Sequence, residues 1–315
     1  MKYIHDIKEG EHIVEHYLCK QKQSLKTRAG KTYYTLKLQD KTGVIDAKVW
    51  ALTGDIQAFE EHDYIKIESE AITYQNSYQL NVKKIRRSME GEYDPIDYIP
   101  CTTKSIEEMY QGILEYIKKV QNKYIKQLME AFFVEDKDFI DLFRGHTAAK
   151  SIHHSYMGGL LEHTLSVVEI SEFLAPRYDN VNNDLLIVGA IFHDIGKVKE
   201  LSGLPINEYT EEGQLLGHII IGLEMVTEKI NKIPNFPPLI ANFIKHCILS
   251  HHGELEYGSP KLPQTIEAMI IHCADNTDAK IKLFDEVITN DQSEGNWTEY
   301  HRMLQRCIRR SNTIL

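Results

Sequence analysis

Two hydrophobic periodicities divide the chain. In the first 88 residues apolar and polar side chains alternate, as in KTYYTLKLQ at 31–39 and VIDAKVW at 44–50, on either side of a DKTG turn. This period of two indicates strands with one buried face. Further strands are predicted at 12–23, 64–69 and 78–85, and a short helical connection near 52–60. Five such strands predict a small five-stranded OB-like β-barrel.

From Ser105 onward the apolar spacing becomes helical. Ser105 and Glu108 form a capping-box pattern that begins the first predicted helix. The acidic, proline-containing stretch at 89–104 is interpreted as a linker. The predicted fold class is α+β multidomain, with the barrel at 1–88 and an all-α helical bundle at 105–315. The further helices are predicted at 122–133, 136–143, 160–175, 183–193, 213–231, 237–250, 264–282 and 297–310.

Composition favours a protein of the cell interior. The 315 residues are enough for about two domains. The longest apolar run, LLIVGAIF, has eight residues, whereas a membrane span needs about 20. The charged N-terminus has no apolar core of signal-peptide length. Five widely spaced cysteines without a CxxC pair are typical of reduced thiols. We therefore expect a cytoplasmic protein with no membrane partner.

Charge is distributed unevenly. Residues 1–90 hold 15 Lys and Arg against 13 Asp and Glu, and residues 91–315 hold 21 against 33, so the net charges are +2 and −12. A nucleic acid would meet the less acidic part first. The acidic part must offset its own charge wherever it handles an anion, and bound metal is one way to do so.

Histidine and aspartate residues in the helical part form a candidate metal site. The candidate ligands come from five predicted helices and are His163, His193-Asp194, His218, His251-His252 and Asp275. Imidazole and carboxylate ligands suit Mn²⁺, Fe²⁺, Co²⁺, Ni²⁺ or Zn²⁺. Each motif alone is weak, since an isolated His-Asp pair is usually a surface feature. Their joint occurrence on apolar helices favours a metal centre, in which the two oxygens of Asp194 could bridge two ions.

Other polar residues of this part have open interpretations. His153 and His154, before the Gly158-Gly159 break, are interpreted as substrate contacts, helix-capping residues or surface residues. Asp278, one turn beyond Asp275, is interpreted as an exposed helix acid rather than a group that orients a ligand.

The order His…His-Asp…Asp resembles the HD-domain metal-dependent phosphohydrolases, over about residues 145–280. With the preceding OB-like module and the segments GGLLEHT, HDIGK and SHHGE, nearly the whole chain resembles the YhaM-type 3′-to-5′ exoribonucleases. The resemblance implies one metal held by His163, His193, Asp194 and Asp275, and a second held by Asp194, His218 and His251.

The same resemblance implies the chemistry of the site. Two divalent ions, with Mn²⁺ favoured, would activate a water that attacks phosphorus in line. Asp194 and Lys197 would be the catalytic side chains, with Lys197 contacting the phosphate. His252 would be either a spare ligand or a substrate contact.

One face of the barrel has the composition of a single-strand binding surface. If Leu36, Leu38 and their alternating neighbours form the core row, the opposite row of strands two and three faces outward. Aromatic side chains stack on bases and lysines follow phosphates. The alternative is a surface that packs against another domain. The candidate contacts are Tyr33, Lys37, Lys48 and Trp50.

These observations predict a metal-dependent phosphodiesterase that removes nucleotides from the 3′ end of single-stranded RNA, with single-stranded DNA as a second candidate substrate. One alternative is an HD phosphohydrolase acting on a small nucleotide, such as a dNTP, a cyclic dinucleotide or an alarmone. The barrel argues against it, because a small substrate needs no strand grip. Another is a non-enzymatic nucleic-acid-binding module, against which the complete ligand set argues.

Overall fold

The computed structural model describes residues 1–74, 77–150, 154–291, 293 and 295–311. The chain divides into two compact units, one formed by residues 1–101 with 204–206 and the other by the remainder. Within the segment interpreted as a linker, Pro95–Tyr98 form a 3-10 turn, and buried Tyr98 accepts a hydrogen bond from Gln39 through its carbonyl oxygen. The domain limits at 88 and 104 stay predictions.

The first unit is a closed five-stranded barrel. Its strands are β1 (His12–Lys26), β2 (Thr32–Asp40), β3 (Gly43–Val49), β4 (Tyr64–Tyr74) and β5 (Ser77–Arg87). They are hydrogen-bonded in the order β1-β2-β3-β5-β4, and β1 closes the barrel by pairing with β4. The β3–β5 pair is parallel and the others are antiparallel. This connectivity is that of the OB-fold, so the predicted fold of the N-terminal part is confirmed.

The barrel has the faces that the alternation predicts, but one connection differs. Leu36 and Leu38 of β2 and Ile45 of β3 are buried in the barrel core. The helix expected near 52–60 is wrong, because this segment forms a turn, closed by a hydrogen bond from Ile56 N to Thr53 O at 3.0 Å, and a single β-bridge from Ile56 to Ile85. Its backbone hydrogen-bonds to both sides of Ile85 on β5, which satisfies peptide groups that a helix would have paired internally.

The second unit is helical. In chain order its helices are α1 (Ile106–Lys119), α2 (Lys123–Phe133), α3 (Lys137–Gly145), α4 (Gly159–Leu174), α5 (Asn183–Phe192), α6 (Lys197–Glu200), α7 (Glu211–Lys232), α8 (Pro238–Ser250) and α9 (Ile266–Asn290). Side-chain oxygens of Ser105, Asn122 and Asp136 cap the first three of them. No helix among the described residues is long and apolar enough to cross a membrane.

The C-terminal part of this unit corrects the prediction of an all-helical domain. The helix expected at 297–310 is absent, and the residues form a hairpin instead. Trp297 pairs with Arg309, and His301 pairs with Arg306. Thr298 donates its backbone N–H to the carbonyl of buried Ile308 at 2.9 Å. These cross-chain bonds and the burial of Ile308 outweigh a weak helical pattern.

A cluster of aromatic rings fixes the helices on which the polar site is built. Phe133 of α2 is fully buried, and its ring lies 5.1 Å from that of Phe143, 5.4 Å from that of Phe139 and 6.2 Å from that of Phe192 at the end of α5. Such edge-to-face and stacked pairs add to the free energy of apolar burial.

Phe133→Ala should therefore lower the free energy of unfolding of the helical unit by about 3–5 kcal/mol, because it leaves a cavity inside this cluster. Urea denaturation followed by circular dichroism measures the change. Phe173→Ala is the matched control, since Phe173 is 66% exposed, and should change stability by less than about 0.5 kcal/mol. Equal losses in both variants would contradict the proposed importance of the cluster.

Candidate metal centre

Five elements bring the predicted ligands to one place. His163 lies in α4, and Asp275 lies in α9. His193 and His251 are the residues at which α5 and α8 end, so each projects from a helix terminus. His218 lies in α7. The side chains of His163, His193 and His251 and of Asp194 are almost completely buried.

A close approach of backbones sets the position of the His-Asp pair. Residues 193–196 form a turn between α5 and α6, as the sequence predicts from Gly196. A Cβ atom on Gly196 would lie 2.0 Å from the carbonyl oxygen of His218 and 2.6 Å from the backbone nitrogen of Gly222. Only glycine therefore lets this turn rest against α7, which brings Asp194 to His218.

Helix α7 is broken where it enters the site. Gly217 has φ 73° and ψ 160°, in a region that favours glycine. His218 follows, and its backbone N–H and its Nδ1 both lie 3.0 Å from Oε1 of Glu200. Burial raises the pKa of Glu200, but the contacts with His218 outweigh burial and lower it. The carboxylate is thus an acceptor that orients the ring.

One oxygen of Asp194 faces one half of the site. Its Oδ2 lies 3.4 Å from Nε2 of His163 and 3.4 Å from Nε2 of His193. The two Nε2 atoms are 3.2 Å apart, and Nε2 of His163 lies 3.3 Å from Oδ1 of Asp275. His163, His193 and Asp275 thus have ligand atoms within 4.8 Å of one another.

The other oxygen of Asp194 faces the second half. Its Oδ1 lies 3.4 Å from Nε2 of His218 and 3.5 Å from Nε2 of His251. None of these three buried atoms has a hydrogen-bond partner among the described residues. Buried polar atoms are nearly always partnered, so three that converge on one point call for a bound group. His252 completes this half as a third possible ligand.

Hydrogen bonds from Nδ1 orient two of the rings so that Nε2 faces the site. Nδ1 of His193 lies 2.7 Å from the carbonyl oxygen of Ala190, and Nδ1 of His251 lies 2.8 Å from that of Ile248. A carbonyl can only accept, so each Nδ1 carries the hydrogen and donates it. With Nδ1 held as a donor, Nε2 is the atom of each ring that can bind a cation.

His163 is fixed by a carboxylate that the sequence analysis misjudged. Its Nδ1 donates to Oδ2 of Asp278 at 2.7 Å, and Ser166 donates to the other oxygen. Asp278 is not an exposed acid: burial raises its pKa, but contacts with His154, His163 and Ser166 outweigh burial and hold it well below the usual range. The signal that could have found it was its position one turn from Asp275, on the same helix face.

The electrostatics of the site favour a divalent cation. Burial alone would keep His163 neutral, but the carboxylates of Asp194, Asp275 and Asp278 raise its pKa well above the usual value. Burial lowers the pKa of His251 despite its contact with Asp194. Two carboxylates and imidazole lone pairs in one buried volume repel one another unless a cation lies between them. The donor set therefore fits metal ions of the Mn²⁺ to Zn²⁺ type.

Lys197 lies at the first turn of α6. Its Nζ is 2.5 Å from Oδ2 of Asp194. Burial opposes the charged form, but Asp194 outweighs it and raises the pKa of Lys197 above the usual value. The site therefore contains a fixed positive charge beside the carboxylate that its histidines share.

Two further predicted residues lie near the site in different ways. Nε2 of His154 is 3.0 Å from Oδ2 of Asp278, the carboxylate that orients His163. His153 lies outside the described residues. The ring of His252 lies 4.4 Å from that of His251 and 5.2 Å from that of His218. The sequence analysis did not identify Glu200. This residue lies in the four-residue helix α6, which is too short to show a periodic pattern.

The predicted outer row of the barrel is also present. The rings of Tyr33 and Trp50 stack with their centroids 4.8 Å apart. Nζ of Lys48 donates to the hydroxyl of Thr35 at 2.6 Å, and Lys37 is exposed. A role of this row in binding nucleic acid stays a prediction.

One unit is a closed OB barrel, and the other is helical and brings histidines and aspartates together. These features define a protein of the HD-domain class, and the HD domain family model matches residues 160–280. The chain is 35% identical over 305 residues to the 3′-5′ exoribonuclease YhaM of Bacillus subtilis, covering 94% of this chain and 93% of that one. It is 36% identical over 304 residues to YhaM of Bacillus licheniformis, with the same coverage. The chain belongs to this family.

Several solved structures that are similar to part of the chain are OB-fold domains. They include the second OB-fold domain of replication protein A from Methanococcus maripaludis, with 15% identity, a TM-score of 0.24, and 30% of this chain and 98% of that one covered. An OB domain from Methanosarcina mazei has 17% identity, a TM-score of 0.25, and coverages of 32% and 94%. The fold assignment itself rests on the strand order.

Asp278→Asn should weaken metal binding about 10- to 100-fold, because the amide no longer offers His163 a charged acceptor while the side-chain volume is kept. Titration of the metal-stripped protein with Mn²⁺ or Co²⁺ against a chromophoric chelator measures the affinity. Asp285→Asn, at an exposed position of the same helix, is the matched control and should bind like the unaltered chain. Unchanged affinity in the Asp278 variant would remove its role in holding His163.

Proposed function

We propose that this chain is a divalent-metal-dependent phosphodiesterase that degrades single-stranded RNA from the 3′ end. The observation that supports this most strongly is the convergence of four histidine Nε2 atoms on one buried aspartate. Two of these nitrogens, those of His218 and His251, and Oδ1 of the aspartate have no hydrogen-bond partner among the described residues. A donor set of this kind without thiolates favours metal-assisted hydrolysis over a structural site. The activity in the names of the relatives supports the choice of RNA as substrate.

Two metal ions are proposed, because Asp194 presents its two oxygens to two different groups of ligands. His163, His193 and Asp275 would hold one ion and His218 and His251 the other, with His252 beside the second. When bound, such ions lower the pKa of water and neutralise charge on phosphoryl oxygens. Mn²⁺ is the metal we favour, and Co²⁺, Fe²⁺, Ni²⁺ and Zn²⁺ are the alternatives.

The chain's own groups would orient the substrate and stabilise charge. Lys197 holds a buried positive charge at the shared carboxylate and would contact a non-bridging phosphoryl oxygen. The positive charge of Lys197 would stabilise the transition state, in which negative charge is spread over the phosphoryl oxygens. Glu200 and Asp278 would keep His218 and His163 in place. Water supplies the attacking oxygen, so no side chain need form a covalent intermediate.

The barrel would hold the strand. The stacked pair Tyr33 and Trp50 offers ring faces, and Lys37 and Lys48 lie on the same outer row. Such a surface binds bases without regard to sequence and binds backbone through charge. Single-stranded DNA would be a second substrate, and a cytoplasmic location stays a prediction.

The decisive experiment is a gel time course with metal-stripped protein and a 5′-labelled single-stranded RNA of 20 nucleotides. Mn²⁺, Mg²⁺, Co²⁺, Zn²⁺ and a chelator are tested in parallel. We expect a metal-dependent ladder that shortens from the 3′ end. Asp194→Ala should reduce hydrolysis by at least about 10³-fold, because it removes the one ligand that both halves of the site share. Its far-ultraviolet circular dichroism should remain that of the unaltered chain.

Full activity of the Asp194 variant would contradict the two-metal arrangement. RNA that stays intact under every metal would overturn the exoribonuclease proposal, and hydrolysis of dNTPs, cyclic dinucleotides or alarmones would then establish the small-nucleotide alternative. Release of the labelled terminal nucleotide without a ladder would mean cutting from the 5′ end and would contradict the proposed polarity.

Tyr33→Ala combined with Trp50→Ala should lower kcat/KM on a 20-nucleotide RNA at least about tenfold, because each stacked base contributes about 1–3 kcal/mol. Hydrolysis of a dinucleotide should change less than about threefold. Tyr74→Ala with Tyr78→Ala is the control, since these exposed tyrosines lie on β4 and β5. Equal losses on the long and short substrates, or equal losses in the control, would remove the special role of the Tyr33–Trp50 pair.

A further inference from the structure

The C-terminal hairpin of the helical unit is an unexplained feature of the fold. We call residues 296–310 the basic hairpin. Its two arms are joined by the hydrogen bonds from Arg310 N to Asn296 O at 2.8 Å and from His301 N to Arg306 O at 3.0 Å. Buried Ile308 and Thr298 anchor it. The hairpin is therefore an ordered surface with fixed inner and outer side chains.

Its charge is opposite to that of the rest of its unit. The basic hairpin holds four arginines and one acid, a net charge of +3. Residues 102–295 hold 17 Lys and Arg against 29 Asp and Glu, a net charge of −12. A compact positive patch on an acidic unit is an attractive position for a polyanion.

Two of the four arginines maintain the hairpin, and two are available to a ligand. Arg310 forms an ion pair with Asp291, and Arg309 donates to the carbonyl of Asn296 at 3.0 Å. Arg302 and Arg306 are exposed and form no ion pair with any described residue. Their guanidinium groups can therefore bind phosphate without breaking an existing pair.

Exposed aromatic rings accompany these charges. Trp297 is 57% exposed and Tyr300 is 61% exposed, although both belong to an ordered hairpin. Nε of Arg306 donates to the carbonyl of Leu304 at 2.8 Å, but neither Arg302 nor Arg306 has an ion pair with a described residue. Exposed aromatic rings and such arginines on one ordered hairpin are the combination that binds single-stranded nucleic acid, through stacking and phosphate contacts.

We propose that the basic hairpin is a second binding surface for single-stranded RNA, which holds nucleotides upstream of the end being cut. The proposal rests on the proposed function, and concerns how that same substrate is held. Helix α9 gives the distance between the metal centre and the hairpin. Asp291, which forms an ion pair with Arg310 of the hairpin, comes 16 residues after Asp275, or about 24 Å along the helix axis. A dinucleotide in the metal centre is too short to reach across that span, whereas a longer strand is not.

The test measures RNA binding by the metal-loaded full chain as a function of salt concentration. The probe is a fluorescein-labelled 20-nucleotide RNA with phosphorothioate linkages at its 3′ end, which resist hydrolysis. Fluorescence anisotropy gives the Kd between 50 and 300 mM KCl. Arg302→Gln with Arg306→Gln should weaken binding about tenfold at the lowest salt, and should reduce the slope of log K against log salt by about 1.4, because each phosphate contact contributes about 0.7.

Two controls make the result specific. Arg302→Lys with Arg306→Lys keeps the charges and should keep the slope. Lys137→Gln with Arg177→Gln removes two exposed charges elsewhere on the same unit, and should also keep it. Hydrolysis of a dinucleotide should be the same in all variants, which also shows that each one is folded. Trp297→Ala with Tyr300→Ala should weaken binding about tenfold without changing the slope.

An unchanged Kd and slope in the double glutamine variant would overturn the proposal. So would a changed oligomeric state of that variant with unchanged RNA binding, since the hairpin would then be a contact between copies. The proposed function fails separately: if the unaltered chain hydrolyses no RNA yet its binding depends on Arg302 and Arg306, the binding surface stands without the activity. If RNA is hydrolysed and the slope does not change, only the surface is refuted.

Discussion

The buried carboxylate of Asp194 is the constraint on which the helical unit depends. Four imidazoles turn their Nε2 atoms toward it, because carbonyls or carboxylates hold each Nδ1 on the other side of the ring. Such an arrangement is costly in a protein interior unless positive charge lies at its centre. Lys197 supplies part of that charge. The remaining demand explains why the site belongs to a metal-dependent class rather than to one that uses a nucleophilic side chain.

The helical scaffold holds the ligands in place by positioning them at the packed ends of helices. His193 and His251 directly follow the last residues of α5 and α8, and Gly196 allows the turn after α5 to lie against α7. The aromatic cluster around Phe133 reaches the end of α5 through Phe192. The C-terminal end of α5 therefore carries both a residue of the aromatic cluster and a candidate ligand. A displacement of this end by about 1 Å would alter several ligand distances together.

Much of the fold could be predicted from the sequence because two periodicities are clear. The barrel strands, their buried rows and eight of the predicted helices follow from periods of two and 3.6 residues. The segment at 52–60 and the hairpin at 296–310 could not be predicted, since their backbone partners lie far along the chain. In the site, the histidines and aspartates with adjacent apolar residues were recognisable. Asp278 and Glu200 act through other side chains, and such contacts exist only once the helices have packed.

Charge places a further demand on the acidic unit, because its substrate would be a polyanion. The Debye length in physiological salt is about 8 Å. The net charge of −12 on residues 102–295 is therefore felt mainly close to the acidic side chains that carry it. Local positive groups can therefore dominate where they cluster. The metal centre with Lys197 is one such place, and the basic hairpin is another. An acidic enzyme can thus act on RNA if some of its cations are grouped where the strand must lie. The exposure of Arg302 and Arg306 agrees with this, whereas Arg310 is paired with Asp291.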